Sequence, residues 1–302
     1  MLKKGIVCIG CSHTWGGGLE WYSNHKDINE RISDGSFDSK NISYATYKFI
    51  CANRWSRLLA NELNTWEVNR ITNSGSEDGS IEWLKYIFSM ENHSDTPNSK
   101  CYLNGDFNLK FDFDEIDYVI LQLTDPFRNN VIYLGDKRAE INIAKVRLRD
   151  TTPLKQNKIE NFENHLEKNS YDEFYKFYLE NFSSYKEMED YFCKQNLDLI
   201  EKLFKQLEEK GVKCRIWTWQ KEYIPFLKQN EYLNNRYIKL LYENKEFDSL
   251  ADLMEYNTKF MISKSDYRIN GKKVNDDHQT IECHKVTANS IATYIKNEIN
   301  NV

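Results

Sequence analysis

Apolar positions along the chain alternate between two periods. Residues 5–10 (GIVCIG) form a short apolar run without polar interruption, the pattern of a strand buried on both faces. Residues 47–63 (YKFICANRWSRLLANEL) change to apolar positions at helical spacing. The change then recurs. A strand over about 67–72 leads through the loop NSGSEDG into a helix over about 80–90, and 118–124 (YVILQLT) is the strongest strand signal, ended by Pro126. A helix over about 185–210 is closed by Gly211, followed by a strand over 212–219 (VKCRIWTW), a short fifth strand at 258–263 and a last helix over 284–297. Strands separated by helices of this length require crossover connections. They predict an α/β fold, a three-layer α/β/α sandwich whose mainly parallel sheet of about five strands carries helices on both faces.

Two stretches break the alternation. Residues 20–46 are polar with no clear period and read as a long loop beside the first strand. Residues 129–184 begin with the alternating run NNVIYLGDKRAEINIAKVRLRD, a hairpin turning at Gly135 and Asp136. They continue into YDEFYKFYLENFSSY, whose aromatics at helical spacing read as core. The expected organisation is one domain over 1–302 with an inserted lid or flap at about 129–184.

Composition narrows the function classes. The 302 residues are 14% aromatic, a folding composition, and 46 acidic against 41 basic residues give a net charge of −5 spread along the chain. No broad basic footprint for nucleic acid follows. No apolar run approaches the ~20 residues of a membrane span, and the run after Lys3 and Lys4 is shorter than the roughly 7–15 residues of a signal-peptide core, so no membrane partner is expected. Seven cysteines at irregular spacing point to reduced thiols and a cytoplasmic location. Cys8 and Cys11 form a C-x-x-C without a second pair, and neither metal nor cofactor is expected.

Parallel sheets bind ligands beyond the carboxyl ends of their strands, and four segments are candidates for that rim. The first, Gly10-Cys11-Ser12-His13-Thr14, exposes a hydroxyl on the turn after a buried strand; taken alone, Ser12 reads first as a helix cap. The second, 73–80, offers glycine amides as oxyanion donors. The third, 122–128, carries Thr124, Asp125 and Arg128 past the central strand. The fourth, Asp276-Asp277-His278, supplies an acid and an imidazole in one loop before the final helix. A serine becomes nucleophilic when a base takes its proton, histidine is the usual base, and a carboxylate fixes the imidazole tautomer.

In this order the blocks resemble the SGNH hydrolase superfamily, the GDSL esterase and lipase group. GCSHT stands for the family's Gly-Asp-Ser block, with Ser12 as the serine and Cys11 in the aspartate's place. NSGSEDGS is similar to the oxyanion-glycine block, with Gly79 or the backbone of Asp78 at the glycine. Gln122-Leu123-Thr124-Asp125 stands for Gly-x-Asn-Asp, Thr124 replacing the asparagine. DDHQTIECH stands for the Asp-x-His block, with Gln279 for the proline and Cys283-His284 for Gly-His. The resemblance implies a flavodoxin-like sheet and a catalytic set of Ser12, Asp276 and His278. It also implies an oxyanion hole of Ser12, Gly79 and Thr124.

His278 is preferred over His284 as the base because His284 falls in the final helix, where a histidine packs or caps. Asp276 is preferred over Asp277 because it stands two residues from His278. His13, Trp15 and Arg128 are candidate substrate contacts, with Trp21 and Tyr22 also near the rim; Arg128 reads equally as a surface arginine. The expected activity is that of a serine esterase removing an O-acyl or O-acetyl group from a sugar or another polar small molecule. Acyl transfer by the same serine, and a binding module with weakened catalysis, are the alternatives.

Overall fold

The computed structural model describes residues 4–23, 43–71, 81, 84, 101–103, 106–107, 113–126, 130–134, 137–141, 181–269 and 271–300. Gly79, Asp78, Arg128 and most of 129–184 lie outside them.

Four parallel strands form the centre of the sheet. They are β1 (Gly5–Gly10), β2 (Glu67–Ile71), β5 (Ile116–Leu123) and β8 (Lys213–Thr218), in the spatial order β2-β1-β5-β8. Two short strands, β3 (Cys101–Leu103) and β4 (Asp106–Phe107), extend the β2 edge antiparallel. The register pairs Gly10 with Ile71, Ile9 with Leu121 and Leu123 with Thr218. The carboxyl ends of all four strands therefore reach one rim.

Strand alternation divides the core in two. Val7, Ile9, Val119, Leu121 and Leu123 face Leu197, Ile200, Phe204 and Leu207 of α4 (Tyr185–Glu209). Ile6, Cys8, Tyr118 and Ile120 face Trp55, Leu59 and Ala60 of α3 (Trp55–Glu62) and Cys283, Ile291 and Ile295 of α8 (Ile281–Asn300). Gly211 follows α4 at φ +82°, the left-handed conformation that ends a helix cheaply only at glycine. Where a hairpin is expected, β6 (Asn130–Leu134) and β7 (Lys137–Ile141) pair antiparallel with Leu134 opposite Lys137, and the turn at 135 and 136 lies outside the described residues. Among the described residues no helix is long and apolar enough to cross a membrane.

Three expectations are corrected. The helix expected at 47–63 starts earlier and is two helices, α2 (Tyr44–Asn53) and α3, broken at Arg54, whose ψ of 150° is extended. The break sends the fully buried Arg54 guanidinium to Glu67 Oε1, with Nη2 at 2.7 Å and Nε at 3.2 Å, a pairing that periodicity cannot foresee. It also strips the Trp55 amide of a helical partner, and that N–H donates instead to Nδ1 of His284 at 3.3 Å.

The fifth strand at 258–263 is absent. The segment forms two 3-10 turns, Thr258–Phe260 and Ile262–Lys264, joined at Met261 by a single antiparallel bridge to Gln279. The position beyond β8 is taken by a single parallel bridge between Ile216 and Tyr237, where Ile216 N donates to Arg236 O and Ile238 N to Ile216 O. Finally, α8 begins at Ile281, three residues ahead of the expected start, after Thr280, whose hydroxyl accepts from Cys283 N.

Candidate active site

Ser12 opens the one-turn helix α1 (Ser12–Trp15) directly beyond β1. The turn is held from below and from the side. Thr14 Oγ1 donates to Gln122 Oε1 on β5, and Asn69 Nδ2 on β2 donates to Thr14 O at 2.9 Å and to Ser56 Oγ at 2.8 Å. Both Gln122 and Asn69 are fully buried, so the two strands flanking β1 fix the backbone that carries Ser12. Cys11, in the position where an acidic residue was the pattern's expectation, is buried and donates weakly to Gln122 Oε1 at 3.5 Å.

The last rim loop reaches Ser12 from the other end of the chain. His278 Nε2 stands 2.8 Å from Ser12 Oγ, and His278 Nδ1 stands 2.6 Å from Asp276 Oδ1. Asp276 Oδ1 also accepts the His278 backbone N–H at 2.9 Å, so the two residues close a small ring that orients the imidazole. The segment expected as a fifth strand braces this loop: Ile262 N donates to His278 O at 3.0 Å and Ser263 N to Asp276 O at 2.7 Å. Asp277 points elsewhere, accepting from Ser263 Oγ at 2.5 Å in an exposed position. Of the two candidate acids, Asp276 is the one against the histidine.

Electrostatics agree with the geometry. Burial disfavours the Asp276 carboxylate, but the His278 ring and amide, the imidazolium charge and the Trp21 indole outweigh it and hold the group at about 2. Asp276 is therefore ionised at any pH at which His278 can act as a base. His284 is fully buried, and burial together with the His278 charge pushes it down to about 3. Its Nδ1 accepts from Trp55, which fixes the neutral Nε2–H tautomer. It serves as a cap for α3, not as a base at Ser12.

Comparison with known protein families, with curated proteins and with solved structures found no match.

The surroundings of the dyad contain features that residue spacing did not reveal. Trp21, expected as a rim aromatic, donates Nε1–H to Asp276 Oδ2 at 2.6 Å from the 3-10 turn Leu19–Tyr22. Gly17 and Gly18 lie against His278: a side-chain carbon on Gly17 would come within 3.0 Å of Nε2, and one on Gly18 within 2.8 Å of its Cβ. Gly18 also sits at φ +89°. The run Gly16-Gly17-Gly18 in a chain with only 12 glycines was the available signal for a close approach.

His13 is buried, stacks on Trp219 with centroids 4.8 Å apart, and meets the His278 ring at 5.0 Å. Trp219 follows β8 and was not singled out from sequence. Trp15, expected as a substrate contact, packs in a buried cluster with Leu19, Tyr47, Ile50 and Cys51. Thr124 is buried one residue beyond β5. Among the described residues, no three His, Cys, Asp or Glu side chains converge as metal ligands would.

Proposed function

We propose that the chain is a serine esterase of the SGNH type on a three-layer, flavodoxin-like α/β/α fold. The observation that supports this reading is the continuous chain Ser12 Oγ, His278 Nε2, His278 Nδ1, Asp276 Oδ1, with links of 2.8 and 2.6 Å, the first joining residues from opposite ends of the chain. An N-capping serine has no need of an imidazole held on its oxygen by a partly buried carboxylate.

In this reaction Ser12 Oγ attacks the carbonyl carbon of an ester while its proton passes to His278 Nε2. Asp276 stabilises the resulting imidazolium through Nδ1–H. The tetrahedral oxyanion is held by donors at the rim: the Ser12 amide, the Gly79 amide and the Thr124 hydroxyl are the proposed set. Collapse breaks the bond to the alcohol oxygen, which takes the proton back from His278 and leaves an acyl group on Ser12. Water, deprotonated by His278, then releases the acid and restores the serine. The stacked rings of His13 and Trp219 beside His278 suit a sugar or a short acyl chain, and an O-acyl or O-acetyl group on a polar small molecule is the proposed substrate. Cys8, Cys11, Cys51, Cys193, Cys214 and Cys283 are buried and form no disulfide, in keeping with the cytoplasmic location proposed.

The test is hydrolysis of p-nitrophenyl acetate together with fluorophosphonate labelling. Ser12→Ala should abolish labelling and lower the rate by about 10⁴-fold without altering the melting temperature, by analogy with other triads. Labelling of another residue in an active preparation would sink the assignment.

A further inference from the structure

The turn Leu19–Tyr22 holds a side chain that this reaction leaves unused. Glu20 is 4% exposed, and its Oε2 meets no hydrogen-bond partner among the described residues. The backbone amides of Glu20 and Gly18 bear on this carboxyl, but among the described residues no side chain pairs with it, and a buried carboxyl without a counter-charge calls for a reason. Its chain neighbours bracket the dyad: Gly18, two residues before, lies against His278, and Trp21, one residue after, binds Asp276. Asp276 and His278 are the titratable groups whose charge reaches Glu20. Tyr22 and Tyr267, whose rings meet tilted with centroids 4.1 Å apart, add no charge, because burial pushes both hydroxyls above their ordinary range.

We propose that Glu20 is a positioning residue for His278: a second carboxyl whose negative charge adds to that of Asp276 and stabilises the imidazolium formed when Ser12 gives up its proton. The inference rests on the hydrolase reading of the site. Burial raises Glu20 and its own backbone amide lowers it; the Asp276 charge raises it again, while the His278 charge and the Gly18 amide oppose, and the carboxyl comes to about 7. The charge is thus absent in mild acid and present in mild base. The fully buried Gln122 and Asn69 show that this fold holds neutral amides where it needs only hydrogen bonds, whereas position 20 carries an ionisable group.

The experiment is a ring-proton NMR titration of His278 in wild type and in Glu20→Gln, without substrate, the signal being assigned by its loss in His278→Gln. The midpoint should fall by about 0.5–1 pH unit in the variant, and the wild-type curve should carry a second inflection near pH 7 that the variant lacks. An unchanged His278 titration overturns the inference, whether or not the protein hydrolyses esters; absence of hydrolysis by wild type overturns the hydrolase reading instead. With an active ester, E20Q should match wild type near pH 6 and be roughly three- to tenfold slower in kcat at about pH 8.5, with KM unchanged and Glu20→Asp close to wild type. A rise in KM alone at every pH would make Glu20 a substrate contact and overturn the proposal. Should E20Q fail to fold, the wild-type curve decides, since a single-step His278 titration is incompatible with a neighbouring carboxyl that ionises near pH 7.

Discussion

Trp21 Nε1 lies 2.6 Å from Asp276 Oδ2, the oxygen opposite the one that binds His278. Asp276 is therefore held on both oxygens, by the imidazole it orients and by an indole from the segment that follows Ser12. Tyr267 donates its hydroxyl to the Trp21 carbonyl and so ties that segment to the loop bearing Asp276.

Replacing Trp21 by Phe keeps the ring and removes the donor. A hydrogen bond to a charged group is worth about 1.5–3 kcal/mol, so kcat should fall roughly ten- to hundredfold with KM unchanged if the bond acts through His278. Steady-state kinetics on p-nitrophenyl acetate would read this, and a change confined to KM would argue against it. The indole also helps to lower Asp276, whose stabilising effect is present above the ordinary carboxylate value of 3.8 and is lost as pH falls through about 2. Trp21→Phe should move that loss to higher pH.

Gly17 and Gly18 separate catalytic from structural effects at adjacent positions. An alanine at Gly17 places its Cβ 3.0 Å from His278 Nε2 and Cδ2, so the ring must shift by a few tenths of an ångström, away from the 2.8 Å contact with Ser12. Gly17→Ala should lose activity at least tenfold while the melting temperature stays within a few degrees. Gly18→Ala meets Ile262 Cδ1 at 2.5 Å and His278 Cβ at 2.8 Å from a backbone at φ +89°, so it should lose stability as well, by about 1–3 kcal/mol in chemical denaturation. Equal melting temperatures for the two variants would contradict this.

Much of this architecture was readable from residues alone, and the failures have physical causes. The strands β1 and β5 were the most legible of the four parallel strands because burial on both faces leaves a near-continuous apolar run, as in Val119–Ile120–Leu121. Ser12, Asp276 and His278 were legible because chemistry restricts the residue types and the fold restricts their places. Residues 258–263 misled because Phe260 and Ile262 are buried at strand-like spacing, yet they brace the loop of His278 instead of pairing in the sheet. The break at Arg54 could not be seen, since it depends on Glu67, on the next strand. Glu20 and Trp21 were equally hidden: both fall at the start of a polar stretch read as loop, and their roles are set by a loop more than 250 residues away.

The two histidines of the last block, six residues apart, should respond in opposite ways. His278→Ala should abolish fluorophosphonate labelling of Ser12 and leave the fold intact, because His278 is partly exposed and its loss opens no cavity in the core. His284→Ala should retain labelling of the folded fraction but destabilise the protein by about 2–4 kcal/mol, through a buried cavity and an uncapped Trp55 amide. The pH dependence distinguishes them further. His284 is held neutral down to about 3, whereas in the unfolded chain it protonates at its ordinary value of 6.5. Between those limits the unfolded state binds the extra proton, so wild-type stability must fall as pH drops from 6.5 towards 3. Without that histidine this part of the acid loss disappears, and the difference in unfolding free energy between wild type and His284→Ala should narrow as pH is lowered through this window. A gap that stays constant in urea titrations at about pH 7 and about pH 4.5 would show that His284 is not the buried neutral cap described above.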